Sequence, residues 1–183
     1  MTKKLTVLVG PTAVGKGTVV RHILDHHPEV HLSVSATTRP PRPGEIEGKD
    51  YFFVSMAEFD KLIESDQMLE YAVVHGVHKY GTPRKPVVEA LARGEQVLLE
   101  IDIQGAVQIK KSMPEAQVIF IAPPTWNDLV SRLAGRGTET KEEMAKRLET
   151  ARAELSTADN FDFKVINDDV AKCAEEVVEL MKA

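Results

Sequence analysis

Short apolar runs alternate with amphipathic stretches along most of the chain, the rhythm of a parallel sheet whose strands are joined by helices. A strand is predicted at about Lys4–Val9, where Leu5, Val7, Leu8 and Val9 are apolar. A helix follows from Gly15 to about His26, with Val19, Val20, Ile23 and Leu24 on one face, and then a strand around His31–Ala36. Gln96–Ile101 and Gln117–Ile121 are continuous apolar runs of the kind buried on both faces of a sheet, and Phe163–Ile166 is a shorter one. Between them a helix over Pro83–Arg93 ends at Gly94, while Thr125 with Asp128 and Thr140 with Glu143 carry the capping signatures of two more. In the second of these, Met144, Leu148, Ala151 and Leu155 fall on one face. A last helix after Asn167 and Asp168 turns Val170, Ala174, Val177, Val178 and Met181 inward.

From Thr37 to Pro83 the rhythm changes. A loop rich in proline and glycine leads to a short strand at Tyr51–Val54, a helix capped by Ser55 and Glu58, a strand at Met68–Val74 and a hairpin at Gly76. The pattern is that of an insertion into an α/β core, and nothing in its composition marks a linker.

The chain's 183 residues fit one domain with a sizeable core. At 43% hydrophobic and 28% charged it reads as a soluble globular protein, with no apolar run near the ~20 residues of a membrane span. Lys3 and Lys4 precede a strand and not an apolar signal segment, so the cytoplasm is the expected location. The lone Cys173 excludes an internal disulfide and reads as a packed filler. A net charge of −5 argues against a broadly basic nucleic-acid surface, so any anion must be held by local positive clusters.

One such cluster stands between the first strand and the first helix. Gly10, Pro11, Thr12, Ala13, Val14, Gly15, Lys16, Gly17 and Thr18 form a phosphate-binding loop: glycines let backbone N–H groups turn inward, the helix N-terminus adds partial positive charge, and Lys16 adds a full one. A nucleoside triphosphate is the expected ligand. Gly17 holds the place of the usual magnesium-ligating hydroxyl, and Thr18 follows it.

A second cluster lies in the insertion, where Arg39 and Arg42 sit three apart on a proline-stiffened loop. The planar guanidinium fork suits phosphate, although two solvated surface arginines would give the same letters. A third comprises Arg132, Arg136 and Arg147, followed or flanked by Gly135, Gly137 and Thr138, and suggests a hinged lid. Phosphoryl transfer needs positive charge and exclusion of water around the migrating group. Arg152 reads as a solvated or salt-bridged helix residue. His22, His26, His27, His31, His75 and His78 are scattered and read as solvated or packed side chains.

Together these residues resemble the guanylate kinase family. GPTAVGK, SATTRPPRPGEIEGKDYFF, the YGTP turn, EIDIQGA, IAPP and RLAGRGTET occur in that family's order over nearly the whole chain. The resemblance implies a P-loop NTPase core with a parallel sheet flanked by helices, a mixed α/β GMP-binding insertion and a helical lid. It divides one domain, 1–183, into a core of about 1–34, 84–124 and 157–183, an insertion of about 35–83 and a lid of about 125–156. It implies that Arg39, Arg42, Tyr51, Tyr80 and Thr82 hold the GMP phosphate, that Ser35, Glu70 and Asp102 hold guanine, and that Arg132, Arg136 and Arg147 close onto the ATP phosphates. Asn167 and Asp168 match the adenine-side loop, where a helix cap would equally account for Asp168. The hairpin at Gly76 is one residue longer than the family's usual turn, and Lys79 stands where a second tyrosine is common.

The chemistry of Glu70 is consistent with this. A carboxylate accepts from guanine N1–H and N2–H₂ together, whereas adenine offers a lone pair at N1 and leaves the charge unpaired, a kind of mismatch that can reach roughly 10⁴-fold discrimination. The expected reaction is direct in-line transfer from ATP to GMP or dGMP, driven by positioning and charge neutralisation. Mg²⁺ is the expected cofactor, bridging ATP phosphates; no direct protein ligand is assigned, and Glu100 and Asp102 are candidates to hold its waters. Neither nucleic acid nor membrane is expected as a partner, and the protein is expected to be a monomer or small homo-oligomer. Two other readings share features with this one: a phosphopeptide-binding module that no longer catalyses, against which Lys16 speaks, and a P-loop kinase for a ribosyl phosphate, which would not need Ser35, Glu70 and Asp102.

Overall fold

The computed structural model describes residues 5–74, 76–135 and 140–182. Its first part runs β1 (Thr6–Val9), α1 (Lys16–His26), β2 (Val30–Leu32), β3 (Ala36–Thr37) and β4 (Phe52–Phe53). Then α2 (Met56–Glu64) leads into the hairpin β5 (Met68–Val74) and β6 (His78–Pro83), and α3 (Arg84–Ala92) into β7 (Gln96–Glu100). The remainder alternates α4 (Ile103–Ser112), β8 (Gln117–Ala122), α5 (Trp126–Ala134), α6 (Lys141–Leu155), β9 (Phe163–Ile166) and α7 (Val170–Lys182).

The continuous apolar runs become the centre of a five-stranded parallel sheet, order β2-β7-β1-β8-β9, with Val7 opposite both Leu99 and Val118. Both faces are covered, which is why these strands do not alternate apolar with polar. On one face Leu8, Leu98, Ile119 and Ile121 pack with Val19, Ile23, Leu129, Val177 and Val178 from α1, α5 and α7. On the other Val7, Val9, Leu99 and Phe120 pack with Val87, Ala90, Ala106 and Ile109 from α3 and α4. Cys173 is buried in the first cluster, and burial pushes its thiol up to about 12.

A second sheet, order β4-β3-β6-β5, stands apart from the first and covers a small core of Ala36, Phe59 and Met68. Helix α2 opens with a complete capping box between Ser55 and Glu58, and α6 with one between Thr140 and Glu143. The single strand expected at His31–Ala36 is two: Val30–Leu32 pairs with β7 in the parallel sheet, and Ala36–Thr37 pairs with β4 and β6 in the second. The chain changes sheets over Ser33–Ser35, and periodicity alone does not mark such a crossing. Helix α4 also departs from the expectation, which passed over Ile103–Ser112. Asp102, read there only for its chemistry, caps that helix by accepting from the Gly105 N–H at 2.7 Å. Lys3, Lys4 and His75 lie outside the described residues.

Candidate active site

The phosphate loop leaves β1 through Gly10, whose φ of +150° and near contact with the Ile121 carbonyl, 2.4 Å from where a methyl would stand, admit only glycine. It enters α1 through Gly15 at φ +97°, where a methyl would meet Asn167 Nδ2 at 2.7 Å. The loop is clasped from behind: Asn167 Nδ2 donates to the Val14 carbonyl at 2.8 Å, and the Arg132 guanidinium donates to Val14 O at 3.1 Å and Asn167 O at 2.9 Å. Arg132, expected as a lid arginine, thus ties the start of the loop helix to the end of β9. Asn167 is buried, and its Oδ1 has no hydrogen-bond partner among the described residues. The cap of α7 is Asp169, whose Oδ1 accepts from Lys172 N–H at 2.9 Å, and not Asp168.

Lys16 donates to the Gly10 carbonyl at 2.6 Å, folding its ammonium over the loop. Burial lowers its pKa, and Glu100, Glu154 and Asp102 act against that shift. A cleft of about 440 Å³ opens here, lined by Thr12, Lys16, Gly17, Thr18, Arg21 and Glu100 among others. A methyl built on Gly17 would stand 3.8 and 4.0 Å from the two Glu100 oxygens. Glu100 is exposed to the cleft, and the protein around its carboxyl raises its pKa while Lys16 opposes the rise.

Glu154 was not singled out from the sequence. It reaches the loop from α6, and its pKa is raised by burial against the pull of Lys16 and the Thr12 backbone N–H. On a polar helix full of glutamates nothing in the letters sets it apart. Arg147 is exposed on the same helix, Arg152 stacks over the Trp126 ring at 4.8 Å, and Arg136 lies outside the described residues with Gly137 and Thr138.

The second sheet gathers the other group of expected residues. Arg39, just after β3, donates through Nε to the Tyr80 hydroxyl at 3.2 Å and lies 5.3 Å from the Tyr51 ring centroid. The Tyr51 and Tyr80 rings meet edge to face at 5.9 Å, so the longer hairpin keeps Tyr80 beside Arg39. Arg42 is exposed three residues on, and Ser35 is half-buried at the entrance to β3. Glu70 on β5 is only 6% exposed and accepts from Thr82 Oγ1 at 2.7 Å. Burial, aided by Asp102, pushes its carboxyl up to about 6 against the Thr82 hydrogen bonds. A larger cleft of about 840 Å³ adjoins, bounded by Ala72 and Val74 of β5, Asp102 and Gln104 at the start of α4, and Thr150 and Glu154 of α6.

A phosphate loop feeding α1 under a parallel sheet, with a second sheet that brings arginine, tyrosines and a buried carboxylate together, defines a phosphotransferase of the P-loop kind. Comparison with known proteins narrows the class. The guanylate kinase family model matches residues 2–183, and the chain belongs to that family. It is 58% identical over 179 residues to a guanylate kinase of Leifsonia xyli, covering 98% of this chain and 70% of that one. A guanylate kinase of Nocardia farcinica is 56% identical over 178 residues, covering 97% and 92%. The crystal structure of guanylate kinase from Anaplasma phagocytophilum superposes with a TM-score of 0.76 at 32% identity, covering 99% of this chain and 85% of that one.

Proposed function

We propose that this chain phosphorylates GMP and dGMP with ATP, as its family does, by direct in-line transfer of the γ-phosphoryl group to a GMP phosphate oxygen. One observation carries the reading: a lysine-bearing phosphate loop and a buried, acceptor-only carboxylate occur in the same chain, one for a triphosphate and one for a base with adjacent N–H donors. In this assignment residues 10–18 and Asn167 serve ATP. Arg39, Arg42, Tyr51, Tyr80 and Thr82 serve the GMP phosphate, and Ser35, Glu70 and Asp102 serve guanine. Arg132, Arg136 and Arg147 belong to a lid of about 125–156 that closes over the donor.

The acceptor phosphate is already anionic near neutral pH, so no strong general base is required. A cation ~4 Å from an anion contributes about 4 kcal/mol before desolvation at an effective dielectric of ~20, so Lys16 and two or three arginines suffice to hold both nucleotides' charge. A serine or threonine hydroxyl is lacking at Gly17, yet the Glu100 oxygens stand beside that position. Such oxygens suit the waters of a hard divalent cation, and Glu100 and Asp102 would hold hydrated Mg²⁺ by this route. When bound it neutralises charge on the ATP phosphates. Among the described residues no helix is long and apolar enough to cross a membrane. We read the protein as cytoplasmic, where both nucleotides are available.

The test is an acceptor screen with MgATP and GMP, dGMP, AMP, CMP or UMP, reading ADP release. Turnover with GMP and dGMP far above the rest is expected. Equal rates with AMP would overturn the base assignment.

A further inference from the structure

Helix α4 carries Asp102, Gly105, Gln108 and Ser112 at steps of three or four residues, hence on one face. That face meets the segment around Glu70. The Gln108 carboxamide donates through Nε2 to the Tyr71 carbonyl at 2.9 Å and accepts the Tyr71 N–H through Oε1 at 3.1 Å. Ser112 Oγ donates to the Leu69 carbonyl at 3.2 Å. The residues on either side of Glu70 are therefore held from the helix. β5 is an edge strand whose pairing with β6 shifts between Met68 and Glu70, so α4 supplies the partners that a further strand would have given.

The Glu70 side chain is held by Thr82 of β6 and lies against the same helix. Oε1 accepts from Thr82, and Oε2 lies 2.9 Å from where a methyl on Gly105 would stand. Ile101 Cδ1 at 3.1 Å and Asp102 Oδ1 at 3.3 Å close the remaining room. Gly105 is buried in the first turn of α4 with an ordinary helical backbone, where glycine is a poor helix former and needs a packing reason to be present. The carboxylate of Glu70 is that reason.

We propose that Gly105 and Gln108 are positioning residues that set base selectivity by fixing where the Glu70 carboxylate stands. The inference rests on the reading of Glu70 as the guanine acceptor. Gln108 locks the strand and Gly105 leaves the space, so each acts on the acceptor nucleotide through Glu70 and touches neither nucleotide itself.

The experiment compares Gln108→Met, which keeps side-chain length without the two hydrogen bonds, with Gly105→Ala, and runs Glu70→Gln in parallel on the full chain. Loss of the backbone clamp is expected to raise the GMP KM roughly tenfold, a size typical of one or two hydrogen bonds. Selectivity for GMP over AMP falls by the same factor, while the ATP KM and kcat at saturating GMP stay at the parent values. Gly105→Ala gives the same pattern with a melting temperature at or below the parent's, because the added methyl presses on Glu70 Oε2 and Ile101 and this offsets alanine's preference for the helix. If Glu70→Gln loses GMP selectivity while the other two variants keep it, the inference fails and the base reading stands. If Glu70→Gln itself keeps selectivity, the base reading fails and takes the inference with it. A parallel loss toward GMP, AMP and ATP would mark α4 as general scaffolding and overturn the proposal. Should Gly105→Ala not fold, Gln108→Met decides alone.

Discussion

The Arg39 guanidinium and the Glu45 carboxylate face each other fork to fork, Nη1 to Oε2 at 2.9 Å and Nη2 to Oε1 at 2.8 Å. Glu45 also accepts from the Arg42 backbone N–H at 2.6 Å, so one carboxylate organises both arginines of the proposed phosphate clamp. Arg39, and then the Arg42 N–H, hold the Glu45 carboxyl down to about 2, and the pair persists throughout the physiological pH range. Nη1 further donates to Pro40 O and Nε to Tyr80, which fixes the plane of the fork. Glu45→Gln removes the charge that closes this loop. The GMP KM is expected to rise about tenfold with the ATP KM unchanged, the scale of a lost charge-assisted hydrogen bond. Steady-state kinetics with each substrate varied checks it. A lower GMP KM would mean that Glu45 competes with the phosphate instead of preparing the clamp.

With Glu70 as the proposed guanine acceptor, GMP binding is expected to depend on pH. Its folded pKa of about 6 lies above the ordinary 4.5, chiefly because it is buried. The carboxyl therefore costs the free protein nothing below about pH 4.5, and the cost grows to about 2 kcal/mol as pH rises through 6. Only the ionised form accepts both guanine donors, so the GMP KM is expected to rise about tenfold per pH unit below 6 while the ATP KM stays flatter. Measuring both KM values from pH 5 to 8 decides this. Glu70→Gln should remove the low-pH limb and, in denaturant titrations, the fall in stability between pH 4.5 and 7.

The contrast between Lys16 and Glu154 shows what a sequence makes legible. Lys16 is found by its spacing from Gly10 and Gly15, because the loop's backbone demands glycine at fixed offsets. The core strands are equally plain, since burial on two faces leaves uninterrupted apolar letters. Glu154 has no such local signature: it meets the loop only because α6 packs across it, a relation between residues some 140 positions apart. Glu45 lay inside a recognisable motif, yet its pairing with Arg39 depends on how the loop folds back. The crossing from β2 to β3 was hidden because both halves of His31–Ala36 are extended, and extension does not say which sheet a strand joins.

Lys16 is expected to act on transfer and not on acceptor binding. Its ammonium leans on Gly10 O and is surrounded by Glu100, Glu154 and Asp102. Lys16→Met keeps the aliphatic stem and removes the charge. The turnover rate should fall by at least about 10²–10³, as for other deletions of a donor aimed at developing charge. Calorimetric GMP affinity should match the parent. Normal turnover would refute the phosphate-loop role, and lost GMP binding would show that Lys16 supports the second sheet's site as well.

Gly17 offers a gain-of-contact test of where the metal sits. A methyl there would make only van der Waals contact with the Glu100 oxygens at 3.8 and 4.0 Å, and the residue lies in the exposed first turn of α1 with an ordinary helical backbone. Serine therefore fits without displacing the loop, and it is a better helix former than glycine. Its hydroxyl adds an oxygen next to Glu100, the kind of ligand a hard cation prefers. Gly17→Ser is expected to lower the Mg²⁺ concentration for half-maximal activity at fixed ATP, with the GMP KM unchanged. If the Mg²⁺ titration does not move while the variant remains fully active, the cation lies away from residue 17, and Glu100 loses its assigned place beside it.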